Sequence, residues 1–142
     1  VAWGTPEPSE ASPLPTYIET SHFRFDVIDT PGHSRGHVVL VEPDKGWCFS
    51  GDLFVEEYPK VVRPDEVIPE TIRSMKRLLE MRIENLMLFT AGGRIVSNGR
   101  EALATCVDYL EGVSDEVLNL HEKSLSVGQI VDTIWGGENI FE

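Results

Sequence analysis

Two histidines four positions apart, His33 and His37, precede an apolar run that ends at Asp52 within "TPGHSRGHVVLVEPDKGWCFSGDLF", residues 30 to 54. Imidazole nitrogen and carboxylate oxygen are donors that zinc, iron and manganese accept. His33 follows Pro31-Gly32, and Gly51-Asp52 stops a short apolar stretch, so both residues fall at strand ends. Consecutive strands joined by a short turn pair antiparallel, which lets the two side chains project from one sheet edge. Spacing alone leaves two outcomes open: two ligands of one metal, or a turn histidine beside an aspartate bonded to its own backbone. His22 and His121 match no motif and are expected to be exposed or capping. Ser34 and Cys48 have no positioned base or oxyanion arrangement in the sequence that would make either a nucleophile. "AGGR", residues 91 to 94, has two glycines without a P-loop lysine and is expected to be a turn.

The elements that must position these residues are written in the hydrophobic pattern. Residues 16–30 alternate, with Phe23, Phe25 and Val27 on one face and Arg24 and Asp26 on the other, which predicts one half-buried strand. A nearly continuous apolar strand follows from His37 to Val41, then the turn Pro43 to Gly46, then a third strand from Trp47. After Pro69 the rhythm Ile72, Met75, Leu78, Leu79, Ile83 is helical, with Pro69 and Glu70 suited to a first turn. Leu86 to Phe89 predicts a short buried strand ended by Gly92-Gly93. A second helix is expected over about 99–123, with Leu103, Cys106, Val107, Leu110, Val113 and Val117 inward and Gly112 as a place to bend or divide. Ser126 and Gln129 have capping-box spacing and open a third helix, with Ile130, Val131, Ile134 and Trp135 apolar and Gly136-Gly137 at its end. Strands first and helices after, with one strand between helices, predict an α+β or layered α/β domain. The expected divisions are a Pro-rich linker over 1–15, a core over 16–111 and a helical segment over 112–142.

A chain of 142 residues suits one domain with its own core. The formal net charge of −12, from 12 Lys+Arg against 24 Asp+Glu, repels phosphate backbones and anionic membranes. Nucleic acid and membrane are therefore excluded as default partners, the helix-turn-helix look of "HEKSLSVGQIVDTIWGG" notwithstanding. No apolar run approaches the ~20 residues of a membrane span, and no basic-then-apolar leader opens the chain. The two cysteines, Cys48 and Cys106, lie in separate apolar segments and are expected to be buried free thiols in a reducing, cytoplasmic compartment. The first residue is Val1 and the last four are Asn139-Ile140-Phe141-Glu142, so both ends are expected to be cut.

The order of these pieces resembles the second half of the metallo-β-lactamase superfamily. "DVIDTPGHSRGHVVL" is similar to the loop that supplies its single-histidine ligand, and "CFSGDLF" to the strand end that supplies its bridging aspartate. The likeness continues through the helix after Pro69, "LMLFT", "AGGRIVSNGREAL" and the C-terminal helices. Among branches it is most similar to the glyoxalase-II-like and lactamase-B-like hydrolases, which implies half of an αββα sandwich: mostly antiparallel strands with helices on one face and a helical C-terminal extension. The resemblance makes His33 the imidazole ligand, Asp52 the carboxylate shared by two metals, and His37 a packing or supporting group that is not a ligand.

Two departures matter. The family's main motif, His-x-His-x-Asp-His, is absent, and the last histidine should fall where Gly92 stands, so that ligand position is vacant. The resemblance implies hydrolysis of a small-molecule ester or thioester by water activated on one or two metals, zinc, iron or manganese. With two ligands the chain alone is expected to be inactive. Half a sandwich also leaves one apolar sheet face to be covered, by a missing N-terminal half of the fold, by a second copy of the chain in an oligomer, or by rearranged helices. The alternatives are a non-catalytic binding module that lost its ligands, and an iron protein for electron transfer or oxygen handling, for which further ligands are missing.

Overall fold

The computed structural model describes residues 12–60 and 63–136. Most of the Pro-rich linker expected over 1–15, the end of the segment 112–142 and Gly137 lie outside the described residues. The elements are β1 (Tyr17–Glu19), β2 (Arg24–Asp29), β3 (Val38–Glu42), β4 (Trp47–Gly51), α1 (Ile68–Glu80), β5 (Met87–Thr90), β6 (Ile95–Val96), α2 (Gly99–Glu122) and α3 (Val127–Trp135). The strands form one six-stranded sheet in the order β1-β2-β3-β4-β5-β6. All neighbours are antiparallel except β4 and β5, which run parallel because α1 carries the chain back between them.

Strand alternation divides the sheet into two chemically distinct faces. Val41, Cys48, Leu88 and Val96 stand in one row across β3 to β6 and are all buried. They pack with Ile72, Met75 and Leu78 of α1 and Leu103, Cys106 and Leu110 of α2 in one core. On the opposite face Val27, Leu40, Phe49, Phe89 and Ile95 form the matching row from β2 to β6. Phe49 stacks on Phe89 with ring centroids 4.8 Å apart, and Trp47 lies edge-on to Phe89 at 6.3 Å. Phe49 is 41% exposed and Ile95 65%. Among the described residues there is no second sheet to cover this aromatic face.

Three local expectations are corrected. The single strand over 16–30 is two strands, because Thr20 turns the chain: its Oγ1 accepts the Phe23 N–H at 2.9 Å, and its own N–H reaches the Phe23 carbonyl at 2.8 Å. The glycine pair after Thr90 is the turn expected, with Gly93 at φ +82°, but the chain returns as β6 and adds an edge strand. Gly112 does not divide the second helix. It sits exposed inside an unbroken α2, so the position 111/112 falls within one helix. The capping box at Ser126 and Gln129 is formed, and Gly136 ends α3 in the left-handed conformation.

Candidate metal centre

The His33 loop is fixed by α1. Gly32 has φ +143°, and a Cβ there would lie 2.2 Å from Thr71 Oγ1, so this position accepts glycine alone. The Gly32 carbonyl accepts the Val67 N–H at 2.9 Å, and Ser74 Oγ donates to the Pro31 carbonyl at 2.8 Å. The Pro31-Gly32 backbone is thereby docked against the first turns of the helix, and His33 is presented at the sheet edge.

His37 joins this loop to the one carrying Asp52. Its Nε2 accepts the Asp52 backbone N–H at 3.3 Å, which requires that nitrogen to be unprotonated, and its Nδ1 bonds Thr30 Oγ1 at 2.8 Å. Burial lowers the His37 pKa; the neighbouring His33 lowers it further, while Asp52 and Thr30 oppose. A neutral imidazole therefore spans the two loops as a strut. Gly51, at φ +53°, lets the ring approach, since a Cβ there would lie 2.9 Å from His37 Nε2.

The two remaining side chains converge. His33 Nε2 lies 3.6 Å from Asp52 Oδ2, with the imidazole largely buried and the carboxylate half exposed. Two ligands about 2.0–2.1 Å from a tetrahedral ion stand roughly 3.4 Å apart, so these donors fit part of one metal shell. The other ring nitrogen, Nδ1, is bonded to Glu66 Oε1. Glu66 is held in turn by the Arg63 N–H, donated to its Oε2 at 3.1 Å. The Arg63 guanidinium comes within 3.5 Å of His33 Nε2 and is anchored on Asp65 by two bonds, at 2.7 and 3.1 Å.

Glu66 and Arg63 were invisible to sequence spacing. Glu66 is 33 positions from His33, in the irregular segment before α1, and no periodicity marks it. Gly92 sits in the exposed turn between β5 and β6; its neighbour Ala91 donates its N–H to the Gly51 carbonyl at 3.1 Å, so the turn shares the edge of Asp52. A side chain at 92 would have room, meeting only Thr90 Oγ1 at 3.9 Å. No group of three His, Cys, Asp or Glu side chains able to hold a metal exists among the described residues. His22 is exposed beside Ser21, and His121 is exposed in the last turn of α2, both apart from this cluster. Cys48 and Cys106 are free and buried, and burial pushes both thiols up to about 12, which keeps them protonated and poor nucleophiles.

No family model matches the chain. Among solved structures, a metallo-β-lactamase family protein of Thermus thermophilus superposes with a TM-score of 0.70 at 17% identity, over 90% of this chain and 44% of its own. The chain has the metallo-β-lactamase fold. A stereoselective inverting sec-alkylsulfatase of a Pseudomonas species shares this fold with a TM-score of 0.70 at 15% identity, over 86% of this chain and 21% of its own. A protein crystallised in a di-iron-bound form matches with a TM-score of 0.53 at 29% identity, over 67% of this chain and 47% of its own. This metallo-β-lactamase-fold chain thus spans less than half the length of each of these neighbours. No helix among its described residues is long and apolar enough to cross a membrane.

Proposed function

We propose that this chain supplies the second half of the metal centre of a metallo-β-lactamase-fold hydrolase that cleaves a small ester or thioester, as in the glyoxalase-II-like branch. The supporting observation is the 3.6 Å approach of His33 Nε2 to Asp52 Oδ2, two metal donors carried on separate loops that His37 ties together. Zinc, iron or manganese bound there supplies Lewis acidity and lowers the pKa of water toward about 7. Asp52 contributes the carboxylate, His33 the imidazole nitrogen, and Glu66 holds the His33 ring by its opposite nitrogen.

The other ligands come from an N-terminal half of the fold, which also covers the aromatic face of Phe49, Phe89 and Trp47. The greater length of the structural neighbours and the exposure of Phe49 and Ile95 support that partner. This chain by itself is inactive, because Gly92 offers no donor where another ligand would stand. Two free buried thiols support a reducing compartment such as the cytoplasm.

Metal analysis of the full-length protein, before and after His33→Ala and Asp52→Ala, tests the assignment. Stoichiometric metal that is lost in both variants is the expected result; unchanged metal content in both overturns it. A full-length protein free of metal as purified would favour the second reading, a binding module that has lost its ligands, for which Gly92 is the specific observation.

A further inference from the structure

A cavity of about 160 Å³ opens beside His33 and Asp52, between the loop after β4 and the two long helices. Leu53, Val55, Pro59, Ile68, Met75 and Leu110 line it together with the ionisable His33, Asp52, Glu56 and Glu66. Close-packed interiors leave few voids larger than a water molecule, so a space of this size at a candidate reaction centre calls for an occupant. A space of about 150 Å³ is large enough for a benzene-sized guest.

We infer that this cavity receives the uncharged apolar arm, of about six carbons, of the ester or thioester cleaved at His33 and Asp52. The inference deepens the proposed function and rests on it for the reaction, though not for the binding. Two features of the lining define the arm. Thr71, the wall's hydroxyl, already donates to the Val67 carbonyl at 3.4 Å, and the Cys106 thiol is a weak donor. A polar group pressed against the α1 and α2 side would meet only this hydroxyl and thiol and be left without a strong partner, which is costly. Asp52, Glu56 and Glu66 bring three carboxylates to the lining, and Arg63, whose guanidinium comes within 3.5 Å of His33 Nε2, is paired with Asp65. An arm carrying its own carboxylate would be repelled by them. The pocket therefore selects short alkyl or aryl groups over acidic ones.

The experiment is titration of the metal-stripped full-length protein with benzyl alcohol and with benzoate, read at the methyl resonance of Met75. Benzyl alcohol is expected to shift that resonance to saturation, with benzoate at least tenfold weaker. Cys106→Met, which places a larger side chain toward the cavity, is expected to weaken benzyl alcohol binding at least tenfold. Equal binding of the two probes, no shift with either, or a Cys106→Met variant that binds as the parent does would each overturn the inference. Should that variant fail to fold, the comparison of the two probes on the parent protein still decides. Because metal is removed first, failure here is distinct from failure of the metal assignment, which the metal content reads separately.

Discussion

The Nδ1 nitrogen of His33 is bonded to the carboxylate of Glu66, 33 positions along the chain, leaving Nε2 as the ring atom that faces Asp52 at 3.6 Å. A ligating histidine that gives its second N–H to a carboxylate is fixed in tautomer and orientation, and becomes a more basic ligand. Glu66→Ala in the full-length protein is expected to weaken metal binding by about 10–100-fold, measured by competition with a chromophoric chelator. Glu66→Gln should fall between, because an amide oxygen still accepts the Nδ1–H but carries no charge. Equal affinities for all three proteins would remove Glu66 from the centre while leaving His33 and Asp52 in place.

Gly32 sets the path of the chain into His33, and its neighbour across the loop is the helix backbone itself. A methyl group at this position meets Thr71 Oγ1 at 2.2 Å and Thr71 N at 2.5 Å, and the φ of +143° is strained for any L side chain. Neither atom can retreat without moving the first turn of α1. Gly32→Ala should therefore cost about 1–3 kcal/mol or more, seen as a lowered urea midpoint with an unchanged slope. Gly92→Ala is the control: the space around it is open, and its effect should stay within about 0.5 kcal/mol.

The parts of this fold that sequence made legible are those where one local rule acts alone. The helix after Pro69, the capping box at Ser126 and the buried strand ending near Thr90 each follow from periodicity or capping, and each is present. The break at Thr20 was hidden because strand alternation continues through Phe23, so a side-chain-to-backbone turn left the pattern undisturbed. β6 was hidden because Ile95-Val96 is too short to show a period. His33 and Asp52 could be paired from strand adjacency, whereas Glu66 could not: its contact depends on how the irregular segment before α1 folds back over the His33 loop.

The buried thiols give a pH dependence with a definite sign. Burial raises Cys48 and Cys106 from an ordinary value of about 9 to about 12, with Glu57 and Glu56 adding to the effect at Cys106. The unfolded chain releases these protons first as pH rises, so the folded state binds more of them between the two values. Stability is intact below about pH 9 and declines as pH climbs toward about 12. Cys48→Ala and Cys106→Ala together should flatten that decline relative to the parent, measured by urea unfolding at pH 8, 10 and 11, whatever constant penalty the smaller side chains impose. Parallel pH profiles for the two proteins would show that other groups govern alkaline unfolding.

Phe49 tests whether the aromatic face is covered in the intact protein. Its ring sits at the centre of the row from Val27 to Ile95, stacked on Phe89 and edge-on to Phe25, yet 41% of the residue is open to solvent here. Left open, Phe49→Ala removes a half-exposed ring and should cost little more than a surface substitution, about 0.5 kcal/mol. Covered by an N-terminal half of the sandwich, the same ring lies in an interior, and its removal should cost about 3–5 kcal/mol. The covered value is the expected one for the full-length protein, because a contiguous aromatic surface of this kind marks an association face. Ile95→Ala, at the far end of the row and 65% exposed here, should follow Phe49→Ala in sign if one sheet spans the whole face. A large loss at Phe49 with none at Ile95 would limit the cover to the centre of the sheet, and a small loss at both would mean that the face meets solvent in the full-length protein as well.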